Sequence, residues 1–350
     1  MYYRRIQFIL SSQELETIYI TSPENLRYYS GFTGGEGALV LSQDSCLLFT
    51  DSRYLVQAAQ EAPDFVIVDT AKTKPTDYLK EHRVETLGFE GDYVTARAYE
   101  ELKKELMETR FCSVSRAILG QRSRKDEKEK ACLRQAAALA DEAFAHILPM
   151  LRPGVTEKEI AMALEWYMRK NGASAPSFPI ICASGARSAM PHGVATDKKL
   201  ETGDFVTMDF GCFFEGYASD MTRTVVLGQA SGEQKKIYET VLAAQEKALS
   251  EICAGKSGQE IDAAARTVIQ NAGYGAYFGH ALGHGTGLEI HERPVLSPRS
   301  EDVLAKDMLV TVEPGIYIEN FGGVRIEDLV IVTEDGCENL TRSTKELLEL

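Results

Sequence analysis

The sequence lacks long apolar runs and any excess of positive charge. No stretch of about 18 consecutive apolar residues occurs in the 350 residues, so we expect no membrane-spanning helix. The formal net charge is −14, which argues against nucleic acid as a partner bound through a basic surface. Apolar residues make up 44% and charged residues 26%, as in globular proteins, and the length allows two domains of ordinary size.

Paired cysteines are also missing. The seven cysteines are odd in number and form no CxxC motif, a pattern typical of reduced thiols rather than of disulfides or a cysteine-based metal site. The two arginines near the start are followed by only a short apolar stretch, without a small-residue cleavage site. We therefore expect a mature cytoplasmic protein.

Several common catalytic motifs are absent. The sequence contains no GxSxG and no GxxxxGK[ST], so a serine hydrolase and a P-loop protein lack their usual signs. HERPV at 291–295 departs from HExxH, and Pro294 would disrupt the helix which that motif needs. GHGTGLEIHE at 283–292 departs from GxGxxG. Its two histidines leave a turn or part of a metal site as the open alternatives.

The first third of the sequence alternates strands and helices. CLLFTD (46–51) and DFVIVDT (64–70) are predicted strands, and ARAYEELKKELME (96–108) is a predicted amphipathic helix. This alternation favours an α/β domain over residues 1–122. The charged run QRSRKDEKEK (121–130) is predicted to be the solvated start of a helix, which leads into a second domain over residues 123–350.

The second domain repeats itself. The pattern Gly-x-[Thr/Ser]-x-x-Glu-Ile occurs at 154–160 and at 255–261, and each copy predicts a helix that begins with a capping box. The strands FVTMDFG (205–211) and LVTVEPG (309–315) also match. Because the matches occur in the same order, the sequence predicts an internal duplication, with two helices, a histidine-bearing segment and a hairpin in each half.

Each predicted hairpin carries two carboxylates. Asp209 and Asp220 lie on either side of a turn centred at Phe214-Glu215, beside Gly216, and Glu313 and Glu327 on either side of a turn at 320–323. Residues equidistant from a turn face each other, and like charges so placed are destabilising without a cation between them. Four of the six histidines flank these hairpins, namely His192, His280, His284 and His291. Convergent carboxylates with an imidazole suit Mn, Co, Fe or Zn.

The motifs MPHG, MDFG…SDMTRT, GHGTGLEIHE, VEPGIY and GGVRIED closely resemble those of the pita-bread metallopeptidases, which include methionine aminopeptidase, aminopeptidase P and prolidase. GFTGGEGALVLS (31–42) and TDSRYLVQA (50–58) resemble the creatinase-type N-terminal domain of the proline-specific members, which methionine aminopeptidases lack. The resemblance implies a two-domain α/β fold, with a creatinase-like N-terminal α/β domain at 1–122. It places a C-terminal pita-bread α+β domain with an internal pseudo-two-fold duplication at 123–350. Creatinase shares this fold but lacks the metal ligands.

The resemblance also implies residue roles. It assigns five metal ligands, which are Asp209, Asp220, His284, Glu313 and Glu327. Glu313 would also act as general base and acid, while His192 and His291 would stabilise the developing oxyanion. His280 would line the substrate pocket, and Tyr317 and Arg325 would support it. Arg293, with Arg299 as a second candidate, would bind the carboxylate of a C-terminal proline.

The implied activity is that of a proline-specific metallopeptidase. It hydrolyses Xaa-Pro bonds with a hydroxide that bridges two divalent metal ions, for which Mn or Co is favoured and Zn or Fe is the alternative. An Xaa-Pro dipeptidase is favoured. The alternatives are an Xaa-Pro aminopeptidase that acts on longer peptides and a non-catalytic pita-bread binding protein. The expected partners are a peptide with proline at its second position, no nucleic acid, no membrane, and a second copy of the chain. The homodimer is expected because a loop such as 31–37, which contains Glu36, can reach the partner's active site in dimeric relatives.

Overall fold

The protein is described here from a computed structural model covering residues 2–350, with side chains from Arg5 onward. It divides into two compact units, one ending at Arg122 and the other beginning at Ser123. Within residues 2–350, none of the helices combines the length and apolarity needed to cross a membrane.

The first unit is a mixed β-sheet with helices. Its strands are β1 Thr17–Ile20, β2 Ala38–Ser42, β3 Cys46–Thr50, β4 Val66–Asp69, β5 Thr86–Phe89 and β6 Arg110–Ser113. Its helices are α1 Tyr2–Ser12, α2 Pro23–Ser30, α3 Leu55–Glu61, α4 Pro75–Glu81, α5 Ala96–Glu105 and α6 Ser115–Ser123. The strand order is β4-β3-β2-β1-β5-β6, in which β2 is antiparallel to both of its neighbours and the other pairs are parallel. The predicted α/β architecture is confirmed, and the two predicted strands are β3 and β4.

The second unit is built from long helices and short sheets. Its helices are α7 Glu127–Ile147, α8 Glu157–Lys170, α9 Gly232–Glu251 and α10 Gly258–Asn271. Its strands in the first half are β7 Ala175–Pro176, β8 Ile181–Ser184, β9 Phe205–Phe210, β10 Cys212–Phe214, β11 Tyr217–Ala218 and β12 Met221–Val226. Those in the second half are β13 Gly283–Gly285, β14 Glu292–Leu296, β15 Leu309–Val312, β16 Gly315–Ile318, β17 Gly322–Arg325, β18 Asp328–Val332 and β19 Cys337–Asn339.

The two halves of this unit have matching organisation. In the first half, α7 and α8 bury Leu139 and Leu164 against Met208 of the sheet β12-β9-β8. In the second half, α9 and α10 bury Val241 and Ile261 against Val330 of the sheet β14-β13-β15-β18-β19. Helices α8 and α10 both begin with the predicted capping box. In each, the side chain of the N-cap residue accepts a hydrogen bond from the backbone of the third helical residue, whose side chain accepts one from the backbone of the N-cap residue. The predicted duplication is therefore confirmed.

The charged run at 121–130 differs from its prediction. It was expected to be solvated, but Lys125, Glu129 and Lys130 are all buried. The Lys125 Nζ atom lies 3.0 Å from the Glu292 carboxylate, and the Lys130 Nζ atom lies 2.7 Å from Asp307. The prediction was wrong because a run of charged residues indicates exposure only where the fold brings no opposite charge to it. Glu292 and Asp307, which pair with the two lysines, lie far along the chain.

Candidate metal centre

The first hairpin positions two carboxylates on one face. Strand β9 pairs with β12 so that Asp209 lies opposite Thr222, and β10 pairs with β11 in the same register. The turn is Glu215–Gly216, and both residues have positive φ, 46° and 74°. Asp220, two residues before Thr222, is thus a diagonal neighbour of Asp209 on the same face. The predicted direct opposition was wrong because the centre of the turn lies one residue later than expected.

A glycine allows this hairpin to close beside the site. A Cβ atom on Gly211 would lie only 1.9 Å from the carbonyl oxygen of Ser219. Any side chain at this position would push the strand that leads into Asp220 away from the strand that leaves Asp209. Gly211 therefore keeps the two aspartates close.

The second hairpin positions two glutamates as predicted. The pairs Val312–Asp328 and Gly315–Arg325 have the same register, and it places Glu313 opposite Glu327. Asn320 lies in the turn with φ of 60°, within the predicted region.

His284 completes the group. Its Nε2 atom lies 3.7 Å from Asp220 Oδ2 and 3.5 Å from Glu313 Oε1. Its Nδ1 atom lies 3.0 Å from the carbonyl oxygen of Gly285, which can only accept a hydrogen bond, so the proton is on Nδ1. The lone pair on Nε2 therefore points to the carboxylates. Burial lowers the pKa of His284 to about 4, which keeps the imidazole neutral, as a metal ligand must be.

The carboxylates have oxygen atoms without partners. Among the described residues, Asp209 Oδ1, Asp220 Oδ1 and Glu327 Oε1 are buried and accept no hydrogen bond. Each of these three residues offers an oxygen that lies within 4.8 Å of those of the other two. Orphaned buried oxygens are costly unless a cation compensates them, and an oxygen-rich set with one imidazole matches a divalent transition metal. The residues present therefore fit metal ions.

The pKa values of these acids reflect the same crowding. Burial, followed by the charges of Glu327, Asp209 and Glu313, raises the pKa of Asp220 well above its ordinary value. Burial and then the charges of Glu313 and Asp209 raise the pKa of Glu327 likewise. Burial raises the pKa of Glu313 to about 8, against the opposing effect of Arg325. Without a metal, the site can therefore hold protons at neutral pH.

A network of hydrogen bonds orients the carboxylates. Arg325 donates to Asp209 Oδ2 at 2.6 Å and to the Tyr317 hydroxyl at 2.7 Å. The hydroxyl of Tyr317 lies 2.9 Å from His280 Nε2, while His280 Nδ1 lies 2.8 Å from the carbonyl oxygen of Ala281. Both ring nitrogens of His280 are thus occupied, and burial lowers its pKa to about 4. One series of hydrogen bonds therefore leads from His280 through Tyr317 and Arg325 to Asp209, a proposed ligand.

Two threonines also contact the proposed ligands, and the sequence reasoning missed both. Thr222 donates to Glu327 Oε2 at 2.7 Å and accepts from Arg325 Nε at 3.0 Å. Thr311 donates to Glu313 Oε1 at 3.1 Å and accepts from the backbone of His284 at 3.0 Å. The hairpin register could have predicted both contacts. Thr222 lies opposite Asp209, and Thr311 lies two residues before Glu313 and so on the same face of its strand.

A cavity of about 420 Å³ opens onto the carboxylates. His192 and His291 line it, and both are exposed. The His291 ring packs edge to face on His284, with the ring centres 4.5 Å apart. The apolar part of the wall consists of Phe178, Pro179, Ile181, Pro191, Val194, Ala281 and Ile290. The predicted catalytic residues Glu313, His192 and His291 therefore share one cavity with the predicted metal ligands.

The arginines predicted for the substrate carboxylate lie elsewhere. Arg293 is not part of the cavity wall; its side chain is 59% exposed and pairs with Asp302. Arg299 is also exposed and outside the wall. Within the described part of the chain, Arg325 is the only arginine or lysine lining this cavity, and its guanidinium is bonded to Asp209 and Tyr317.

The sequence matches known families over nearly its whole length. The profile of metallopeptidase family M24 matches residues 131–334, and that of the creatinase/prolidase N-terminal domain matches residues 3–124. An Xaa-Pro dipeptidase of Pyrococcus furiosus is 39% identical over 342 residues, which cover 97% of each chain. A solved Xaa-Pro dipeptidase from Bacillus anthracis has a TM-score of 0.96 at 45% identity, over 100% of this chain and 99% of the other.

A third relative is named for a different activity. The crystal structure of an X-Pro aminopeptidase from Thermotoga maritima has a TM-score of 0.93 at 38% identity, over 99% of both chains. These matches agree with the carboxylate and histidine cluster, because a metallopeptidase family implies divalent metal ions. The chain belongs to metallopeptidase family M24, and its N-terminal part is a domain of the creatinase/prolidase type.

Proposed function

We propose that the protein hydrolyses Xaa-Pro bonds, with dipeptides as the favoured substrates. The observation that carries this proposal is the convergence of five donor residues on a cavity whose buried carboxylate oxygens otherwise have no partner. The 39–45% identity to Xaa-Pro dipeptidases supports the choice of substrate. We also propose that the boundary between the N-terminal domain and the catalytic domain lies between residues 122 and 123.

The ligand set would hold two divalent metal ions, for which Mn or Co is favoured and Zn or Fe is the alternative. The donors are Asp209, Asp220, His284, Glu313 and Glu327. When bound, such ions supply a Lewis acid and make water nucleophilic at neutral pH. Arg325 and Thr222 would keep Asp209 and Glu327 in their present orientations, because each donates a hydrogen bond to a carboxylate oxygen.

Glu313 would move the proton. Thr311 occupies its Oε1 atom, which leaves Oε2 to take a proton from the attacking water. A carboxylate held beside the attacking water in this way can accept a proton and then release it. The protonated Glu313 would deliver that proton to the proline nitrogen as the Xaa-Pro bond breaks.

The two exposed histidines would bind the reacting carbonyl group. His192 and His291 both line the cavity and can donate from a ring nitrogen to the developing oxyanion. The apolar wall beside them suits the pyrrolidine ring of proline. This part of the wall offers no hydrogen-bond acceptor, so an ordinary peptide N–H group placed against it would lose its hydrogen bond to water. The Xaa-Pro bond has no N–H group and avoids this cost, so the wall favours it over other peptide bonds.

A second candidate is an Xaa-Pro aminopeptidase that acts on longer peptides. The observation that favours it is the surface position of Arg293, which leaves no uncommitted cation of the described chain at the cavity to bind a free C-terminal carboxylate. A dipeptidase would need Arg293 to leave Asp302 when the substrate enters.

The test begins with protein stripped of metal by a chelator and reloaded with Mn or Co. We expect cleavage of Xaa-Pro dipeptides, slower cleavage of Xaa-Pro-Xaa tripeptides, and no cleavage of the matched Xaa-Ala dipeptides. Bound metal is measured by mass spectrometry before and after reloading. Failure to cleave any Xaa-Pro substrate would leave the binding-protein alternative, and faster cleavage of tripeptides would favour the aminopeptidase.

We also propose a homodimer. Glu36 lies in the glycine-rich loop at 31–37, is 63% exposed, and pairs with Arg53, so the loop presents charged groups at a surface. Light scattering at micromolar concentration is expected to give twice the mass of the 350-residue chain. A sharp monomer mass would contradict this proposal.

A further inference from the structure

His291 lacks direct restraint in the structure. Its side chain is exposed and, within the described residues, makes no hydrogen bond; its one ring contact is with His284. The loop that presents it must therefore fix its position. That loop comprises residues 286–291, between the paired ends Gly285 of β13 and Glu292 of β14.

The carboxylate of Glu292 lies inside this loop. Its Oε1 atom accepts a hydrogen bond from the backbone of Glu289 at 3.1 Å. A Cβ atom on Gly287 would lie 2.7 Å from Glu292 Oε2, so the loop backbone passes close to the carboxylate. The backbone N–H of Gly287 donates to the carbonyl oxygen of Glu289 at 3.0 Å, as does the Thr286 hydroxyl at 3.1 Å. The loop is thus folded around the carboxylate that follows His291 in the chain.

Lys125 compensates the charge of this carboxylate. Its Nζ atom donates to Glu292 Oε2 at 3.0 Å, and the two side chains are 1% and 2% exposed. The Lys125 backbone is itself anchored, because its N–H group donates to the carbonyl oxygen of Asp307 at 2.8 Å. A carboxylate this deeply buried remains in place only while it is paired, since an unpaired buried charge is strongly unfavourable.

We propose that Lys125 is a positioning residue for His291. It retains the Glu292 carboxylate inside the 286–291 loop, and the bond from Glu292 to Glu289 together with the adjacent peptide bond holds His291 at the cavity. Among the described residues, Lys125 does not line the cavity, and its hydrogen bonds go to Glu292 and to the Asp307 backbone rather than to a proposed ligand. The catalytic consequence rests on the proposed function, in which His291 stabilises the oxyanion, whereas the structural consequence does not.

The experiment compares three variants of the full-length, metal-loaded protein. Lys125→Met removes the buried ammonium group that lies 3.0 Å from the Glu292 carboxylate, so that this carboxylate is held less firmly in the loop. We expect kcat on an Xaa-Pro dipeptide to fall roughly 10- to 100-fold, the effect of a small misplacement of a catalytic group. Because His291 would act in the transition state, KM should change less than about threefold. The metal content should remain that of the wild type.

The double variant Lys125→Met/Glu292→Gln keeps the test valid if the single variant folds poorly. A neutral amide can stay in the loop and accept the Glu289 N–H, so kcat should return to within about fivefold of the wild type, as expected for coupled partners. The matched control is Lys130→Met. This residue is also a buried lysine with acidic partners, Glu127 and Asp307, but it has no bond to the loop, so kcat should be unchanged.

A readout independent of turnover separates the two proposals. In the zinc-loaded protein with ¹⁵N-labelled histidine, the ring signals of His291 are assigned by their loss in His291→Gln. They should shift or broaden in Lys125→Met and stay in place in Lys130→Met. Shifted signals in a protein that cleaves no Xaa-Pro peptide would support the positioning role and overturn only the proposed function. Unmoved signals, or wild-type kcat in folded Lys125→Met, would overturn the positioning role, as would a double variant as impaired as the single one.

Discussion

At the scale of single residues, the proposed metal centre brings together acids that repel one another. We expect Asp220→Ala and Glu327→Ala each to lower the bound metal below the wild-type content and to reduce kcat by at least about 100-fold, because a remaining ion would be undercoordinated. The metal-free form of Asp220→Ala should be at least as stable as the metal-free wild type, since it removes a buried carboxylate with an orphaned oxygen. Metal content, peptidase rate and thermal unfolding check these outcomes together.

The matched control is Asp335→Ala. This aspartate is exposed near the end of the second half and contacts no ligand, so metal content and rate should stay those of the wild type. Full activity in Asp220→Ala or Glu327→Ala would remove that residue from the proposed ligand set. Loss of folding without metal would instead assign the residue a structural role.

Arg293 decides between the two substrate classes. If it binds the carboxylate of a dipeptide, it must first leave Asp302, which would weaken its net contribution. We therefore expect Arg293→Ala to lower kcat/KM for Xaa-Pro by roughly 10-fold, near the lower end of the range for a charge-assisted hydrogen bond. The rate for Xaa-Pro-Xaa should change little.

Arg299→Ala provides the comparison, because it removes an exposed arginine from the same segment. If Arg293→Ala lowers the rates on both substrates equally, or on neither, Arg293 does not bind the dipeptide carboxylate. A specific loss in Arg299→Ala would transfer that role to Arg299.

At the scale of elements, hairpin symmetry made much of the site predictable. The second hairpin has the predicted register, with Glu313 opposite Glu327, because its turn lies where the spacing places it. In the first hairpin, a turn displaced by one residue made Asp209 and Asp220 diagonal instead of opposite. Both arrangements still put the acids on one face, because the side-chain period of a strand is two. The prediction that the acids share one face therefore tolerates a turn displaced by one residue, whereas the prediction of which residues lie directly opposite each other does not.

Contacts between distant segments could not be predicted in the same way. The burial of Lys125 depends on Glu292, which a charge pattern within one decapeptide cannot reveal. The surface pairing of Arg293 with Asp302 likewise depends on the path of the loop after β14. Periodicity and caps describe local structure, whereas these outcomes depend on which acid the fold brings close.

The threonine in the first hairpin offers a test at this scale. Thr222→Val keeps the shape of the side chain but removes the hydrogen bonds to Glu327 and Arg325. We expect roughly 10- to 100-fold weaker metal binding, the effect usual for partners of metal ligands. The stability loss should be about 1–3 kcal/mol, because buried polar groups lose their partner. Isothermal titration of the metal-free protein with Mn measures the first effect and chemical unfolding the second.

Thr207→Val is the matched control. Thr207 is a buried threonine on β9, bonded to Thr224 and to the carbonyl oxygen of Gly323 but to no carboxylate. It should lose a similar amount of stability with unchanged metal affinity. Equal metal affinity in both variants would show that the Thr222 hydroxyl does not orient Glu327.

At the scale of the whole molecule, the proposed ligands come from both halves of the duplicated unit. Asp209 and Asp220 belong to the first half, and the other three to the second. Bound metal would therefore join two halves that each have their own helix pair and core. Because metal binds the folded site and not the unfolded chain, it should stabilise this unit by mass action.

The stability gained from metal should depend on pH, and the direction follows from the pKa shifts. In the metal-free protein, burial raises the pKa of Glu313 from 4.5 to about 8, and those of Asp220 and Glu327 are raised as well. The folded state then holds protons that the unfolded state has released, so stability falls as pH rises through the folded pKa. His280 and His284 have lowered pKa values and act in the opposite direction, but only below their ordinary value of 6.5.

The informative window is therefore pH 6.5 to 8, above the ordinary pKa of histidine and below that of buried Glu313. Each carboxyl group that keeps its proton in the folded state but has lost it in the unfolded state lowers stability by about 1.4 kcal/mol per pH unit, so the metal-free unit should lose roughly 2–4 kcal/mol across the window. With saturating Mn, the acids are deprotonated and paired throughout, and the unfolding midpoint should stay nearly constant. Glu313→Gln should flatten the metal-free curve without changing its direction. A metal-free midpoint that rises or stays level from pH 6.5 to 8 would show that the acids are not held protonated in the folded state.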